Sequence, residues 1–119
     1  MAEKRNFKKM MIEMHTPASG LPEIIVQKAK QAMLTLTHLH NAITRIHCRW
    51  REDGALDTTE NKICEIRAEV DGEQLFTHAR TDDYASALEE AFRHVWNQIS
   101  LLAAKANDLP DAVTSTVKV

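Results

Sequence analysis

Six histidines and two cysteines are the side chains of this 119-residue sequence that could bind a metal or attack a substrate. Their spacing favours neither. No CxxC, HExxH, glycine-rich phosphate loop or nucleophile elbow occurs. His38 and His40 stand two apart in a helical pattern, and residues two apart do not share a helix face. His47 and His78 fall on the outward face of two strands with a third strand between them. That puts them about two strand spacings apart, roughly 10 Å, too far for one metal. Cys48 and Cys64 point inward on adjacent strands and read as buried free thiols, not as a disulfide. Nothing converges on a nucleophile or a base, so no enzyme activity, metal or cofactor is expected.

Charge is the other candidate chemistry. In "ITRIHCRWRED", residues 43–53, Arg45, His47, Arg49 and Arg51 point one way while Ile46, Cys48 and Trp50 point the other. Successive strand side chains leave opposite faces, so this is a half-buried strand with a basic outer stripe. Such a stripe can grip phosphates or pair with neighbouring carboxylates. The next strand carries Glu65 and Glu69 outward, with Arg80 on the strand beyond, so a cross-strand charge ladder is expected. Each pair in it contributes a few tenths to about 1 kcal/mol. Arg51, at the strand's end beside a loop, is the arginine expected to stay free for a ligand.

The net charge of −2 gives no whole-molecule reason to attract nucleic acid. Its distribution is uneven. Glu3 and the cations Lys4, Arg5, Lys8 and Lys9 put the first nine residues at +3, leaving −5 for the rest. No apolar run approaches the roughly 18 residues of a membrane span, and the cytoplasm is the expected compartment.

These side chains must be positioned by elements that the hydrophobic period marks out. "KMMIEMH" alternates Met10, Ile12 and Met14 against Met11, Glu13 and His15, a first strand. "TPASGLPE" is a turn that delivers a helix, with Ser19 or Gly20 near the cap. From Glu23 to about His40, Ile25, Ala29, Met33, Leu36 and Leu39 recur at helical spacing. After the stripe strand and a polar loop, "KICEIRAEV" turns Cys64, Ile66, Ala68 and Val70 inward. Asp71-Gly72 signals a tight hairpin into "QLFTHART", where Leu75, Thr77 and Ala79 face inward. Thr81, Asp82 and Asp83 supply cap chemistry for a second helix, which Asn107 and Pro110 end.

The organisation is a flexible basic N-terminus at 1–8, one domain at 9–106 and a tail at 107–119. The fold class is α+β: a two-layer β-α-β-β-β-α domain, a four-stranded mixed sheet with two helices on one face. The first two strands are expected to be parallel neighbours and the rest an antiparallel meander.

The order of elements and the segment "THARTDDYASALEEAF" resemble the short ribosome hibernation-promoting factor family, also called ribosome-associated inhibitors. The family's signature after its fourth strand is a small residue, an acidic cap and an Asp-apolar-Tyr-Ala-Ala-Ile-like run. Ala79, Asp83, Tyr84, Ala85, Ala87 and Leu88 fall on it, with the tyrosine one place early. The resemblance covers about residues 9–105. It implies a fold like that of a double-stranded-RNA-binding domain. It also implies docking in the small-subunit channel, where Lys and Arg of both helices and nearby loops touch ribosomal RNA. The implied outcome is silencing of translation under stress, without catalysis. The contacts it assigns here are Lys28, Lys30, Arg51 and Arg93, with Lys4, Arg5, Lys8 and Lys9 from the N-terminus. His94, Asn97 and Leu101 stand where the family carries helix-two cations. A second function class is the same fold serving as a protein-interaction module, pairing sheet edges through "TSTVKV".

Overall fold

Period-two patterning becomes four strands, and period-3.6 patterning two helices, in the computed structural model, which describes residues 11–54 and 59–108. In chain order these are β1 (Met11–His15), α1 (Glu23–Thr37), β2 (Ile43–Glu52), β3 (Lys62–Val70), β4 (Glu73–Thr81) and α2 (Tyr84–Asp108). The sheet order is β1-β2-β3-β4, with β1 parallel to β2 and the other pairs antiparallel. α1 carries the chain back between β1 and β2, which is why those two run the same way. The expected α+β architecture is the one observed.

One face of the sheet and one stripe of each helix make the core. Ile46, Cys48 and Trp50 of β2 and Cys64, Ile66 and Ala68 of β3 pack against Met33 and Leu36 of α1 and Val95 and Ile99 of α2. Each large side chain buried there stabilises the fold by roughly 1.5–3 kcal/mol. Thr77 is the buried polar side chain among the described residues, and its hydroxyl donates to the Ala91 carbonyl at 3.1 Å. That bond pins β4 to α2.

Backbone chemistry sets the junctions. Asp71 and Gly72 both take positive φ, 52° and 86°, closing the two-residue hairpin between Val70 and Glu73. Two positive φ values match the right-handed twist of the strands, which favours Asp-Gly. A register shift between Ile43 and Arg45 leaves Thr44 extra, so Ile43 and Ile46 are both buried although three apart.

Two expectations about helix ends need correction. α1 is capped by Pro22, without a side-chain bond, and not by Ser19 or Gly20. Gly20, at φ 90°, instead closes a turn by donating its N–H to the Pro17 carbonyl, so the helix begins later. α1 also stops at Thr37, short of His40. Thr35 and Thr37 bond back to the Gln31 and Leu34 carbonyls, and His38 and Leu39 donate to carbonyls only three residues back. Tightening of this kind ends a helix. His38 is therefore the cap, and His40 lies beyond it with Nδ1 accepting the Ala42 N–H at 3.1 Å.

Candidate nucleic-acid interface

Strand register arranges the outward side chains in rows across the open face. Met11, Arg45, Glu69 and Gln74 form one row, then Glu13, His47, Arg67 and Phe76, then His15, Arg49, Glu65 and His78. A fourth row, Arg51, Ile63 and Arg80, extends past the end of β1. Five arginines thus face three glutamates.

The ladder expected from sequence is present. Arg45 lies 3.7 Å from Glu69, and Arg49 lies 4.0 Å from Glu65. Arg51, expected to be free, instead makes the shortest pair of the stripe, 3.0 Å from Glu65. Its extra distance from β1 lets it swing inward over Ile63, which is buried although it points to this face. Arg80 finds Asp53 at 3.2 Å instead of a β3 glutamate, because the chain leaving β2 folds beside it.

His15 and His47 were not linked by sequence reasoning. Parallel pairing sets His15 beside Arg49, and thus one row from His47. Their rings meet edge-on at 4.6 Å, with His15 Nδ1 and His47 Nε2 2.8 Å apart. Burial, then the neighbouring His15, with smaller effects of Arg67 and Arg49, lowers the His47 pKa from its usual 6.5, against the opposing pull of Glu13. The signal that could have found this pair was the β1–β2 register, which composition does not reveal. Among the described residues no three His, Cys, Asp or Glu side chains are grouped to hold a metal ion.

Cys48 and Cys64 are both fully buried and free, with Sγ atoms 3.8 Å apart. Their registers, Cys48 with Ile66 and Trp50 with Cys64, make them diagonal neighbours. The hydrogen bond with Cys48, then burial, pushes the Cys64 thiol well above its usual pKa, so it stays protonated.

On the opposite face the helices form a groove of about 760 Å³. Lys28, Gln31, Ala32 and Thr35 of α1 line one wall, and Leu88, Glu89, Phe92, Arg93 and Trp96 of α2 line the other. The fold thus brings together Lys28 and Arg93, two of the expected RNA contacts. Phe92 and Trp96 stand on the same wall as Arg93, ring centroids 5.7 Å apart. Lys30 is not in this groove; it lines a separate hollow with Ile12, Met14, Thr16, Val26 and Leu34, beside the β1 edge. Arg51 is on the other side of the sheet. Lys4, Arg5, Lys8 and Lys9 lie outside the described residues, as does the "TSTVKV" tail.

The signature segment has mechanical roles. Asp83 caps α2, its Oδ1 accepting the Ser86 N–H at 2.7 Å, and this bond holds its carboxyl below the usual carboxylate range. Tyr84 is half-buried under Lys62, whose Nζ lies 5.8 Å from the ring centroid. Ala87 and Leu88 enter the core.

No family model and no curated relative matches the sequence. Solved structures do match the fold. A ribosomal subunit interface protein from Coxiella burnetii superposes with a TM-score of 0.65 at 17% identity, covering 81% of this chain and 100% of that one. The N-terminal domain of Protein Y from Thermus thermophilus superposes at 0.64 with 13% identity, covering 78% of this chain and 99% of that one. At such identities the likeness is one of fold, spanning both neighbours end to end. The chain therefore has the fold of these two proteins, the fold that the family resemblance implied.

Proposed function

We propose that this chain is a ribosome-associated factor of the hibernation-promoting type, silencing translation by docking on ribosomal RNA of the small subunit. The observation that carries the reading is the end-to-end fold match to a ribosomal subunit interface protein. The groove between α1 and α2 supports it, since Lys28 and Arg93 stand on its two walls, with Phe92 and Trp96 on the wall of Arg93. In this reading the cations neutralise phosphates and the aromatic wall fits the ribose and base edges. Lys30 and Arg51 approach RNA at the margins, and Lys4, Arg5, Lys8 and Lys9 add a basic arm. No catalytic step is involved, and the site of action is the cytoplasm, where ribosomes work.

A second reading, a protein-interaction module on the same fold, is favoured by exposed apolar side chains on the helices. Ile24 is 67% and Leu101 68% exposed, where phosphate-binding surfaces carry cations. Co-sedimentation with whole ribosomes and with isolated subunits separates the two. Retention on the small subunit that weakens with added salt supports the first reading, and no retention at low salt supports the second.

A further inference from the structure

Cations stand on both faces of this domain, and those of the open sheet are arginines throughout. The described side chains of α1 and α2 include the cations Lys28, Lys30, Arg93 and Lys105 and the acids Glu23, Glu89 and Glu90. The open sheet face carries five arginines against three glutamates and Asp53, which pairs with Arg80, in a chain whose net charge is −2.

The side chains at the centre of that face are mostly flat. In the two middle rows His47, Arg67 and Phe76 lie beside His15, Arg49 and His78. Phe76 is 47% exposed, an unusual place for a phenyl ring on a solvent-facing strand. The Arg67 guanidinium lies 5.2 Å from its centroid, and the His78 ring is near-parallel to it at 6.0 Å with 16° between planes. Flat rings flanked by guanidiniums are what unpaired bases stack on, while cations beside them meet the phosphates.

We propose that the open sheet face is a second, separate binding surface that takes single-stranded RNA, stacking bases on Phe76 and His78 and holding phosphates with Arg49 and Arg67. The partner is single-stranded because paired bases cannot lie on a flat sheet. It is RNA because Glu13, half-buried at the β1 end of the Phe76 row, is an acceptor for a ribose 2′-hydroxyl, a donor that DNA lacks. This surface is independent of the helix groove and does not rest on the ribosome reading.

The test is fluorescence anisotropy of the full chain with a short labelled single-stranded RNA at low salt. Phe76→Leu keeps the apolar bulk and removes the ring, and it weakens binding by about fivefold or more, the equivalent of about 1 kcal/mol of stacking. Phe76→Tyr restores it. Lys28→Ala with Arg93→Ala, which alters only the groove, weakens it less than Phe76→Leu does, and a DNA oligomer of the same sequence binds more weakly. Because Phe76 is outside the core, the thermal midpoint of Phe76→Leu stays at the parent value. The proposal is overturned if Phe76→Leu binds like the parent, if short RNA does not bind at all, or if only the groove variant loses it. Loss of ribosome co-sedimentation in the groove variant reports on the other reading separately.

Discussion

Arg51 Nε lies 3.0 Å from Glu65 Oε2, and the same carboxylate also faces Arg49 at 4.0 Å. One glutamate, its side chain 16% exposed, is thus shared by two arginines and leaves one positive charge between them on an otherwise open sheet. A double-mutant cycle of Arg51→Met and Glu65→Gln, read by urea unfolding, measures what the pair contributes. The expected coupling is a few tenths to about 1 kcal/mol, reduced by salt, because half-exposed pairs are screened. A coupling of zero would mean that Arg51 is as free in solution as its strand-end position alone implies.

His47 makes stability pH-dependent with a definite sign. Its pKa is lowered from 6.5 by burial and by His15, Arg67 and Arg49, with Glu13 opposing. Below that value the unfolded chain takes up a proton that the folded chain resists, so the folded state loses stability as pH falls. Above about 6.5 the ring is neutral in both states and the contribution is fully present. Thermal midpoints measured from pH 8 down to pH 5 (roughly 1.5 units either side of an ordinary histidine) should fall more for the parent than for His47→Gln. Imidazole NMR titration should place His47 below the usual histidine range; a raised value would contradict the geometry.

Cys48 and Cys64 remain thiols, since diagonal strand neighbours lie about 7–8 Å apart at their Cα atoms, beyond easy disulfide reach. A thiol reagent should react slowly with the folded chain, both groups being buried, and should find two thiols after denaturation. Finding none after non-reducing purification would contradict this.

Thr77→Val removes the hydroxyl that reaches the Ala91 carbonyl while keeping the shape. The expected cost is about 0.5–1.5 kcal/mol in urea unfolding, with unchanged denaturant slope. A stabilised variant would mean that the bond only offsets the hydroxyl's desolvation.

Much of this architecture was legible in the sequence because period is set by backbone geometry. Cys64, Ile66, Ala68 and Val70 could alternate inward only on a strand, and Leu88, Ala91, Val95 and Ile99 only on a helix. Asp71-Gly72 named its own turn. Helix ends were less legible, since Thr35 and Thr37 tighten α1 through side-chain bonds that no periodicity encodes. The site was half legible: Lys28 and Arg93 were singled out as cations, but their meeting across one groove depends on how α1 lies against α2. The His15–His47 contact depends on the β1–β2 register and the Arg67–Phe76 contact on the β3–β4 register, and a shift of two residues in either pairing would dissolve the contact it sets. The Arg51–Glu65 pair is not legible because a strand-end position does not fix exposure: a long side chain can reach back along the face.

The most direct test of ribosome docking through the helix groove is the salt dependence of ribosome co-sedimentation for the parent and for Lys28→Glu with Arg93→Glu. Each neutralised phosphate contributes about −0.7 to −0.9 to the slope of log K against log salt, so a handful of contacts predicts a parent slope of about −3 to −4. The double reversal should make the slope shallower by about 2 and weaken binding most at low salt, in a chain that still folds. Deleting residues 1–9 should cost more affinity than any single helix substitution, since it removes four cations in one block. Strong binding whose slope the double reversal leaves unchanged would contradict docking through the groove.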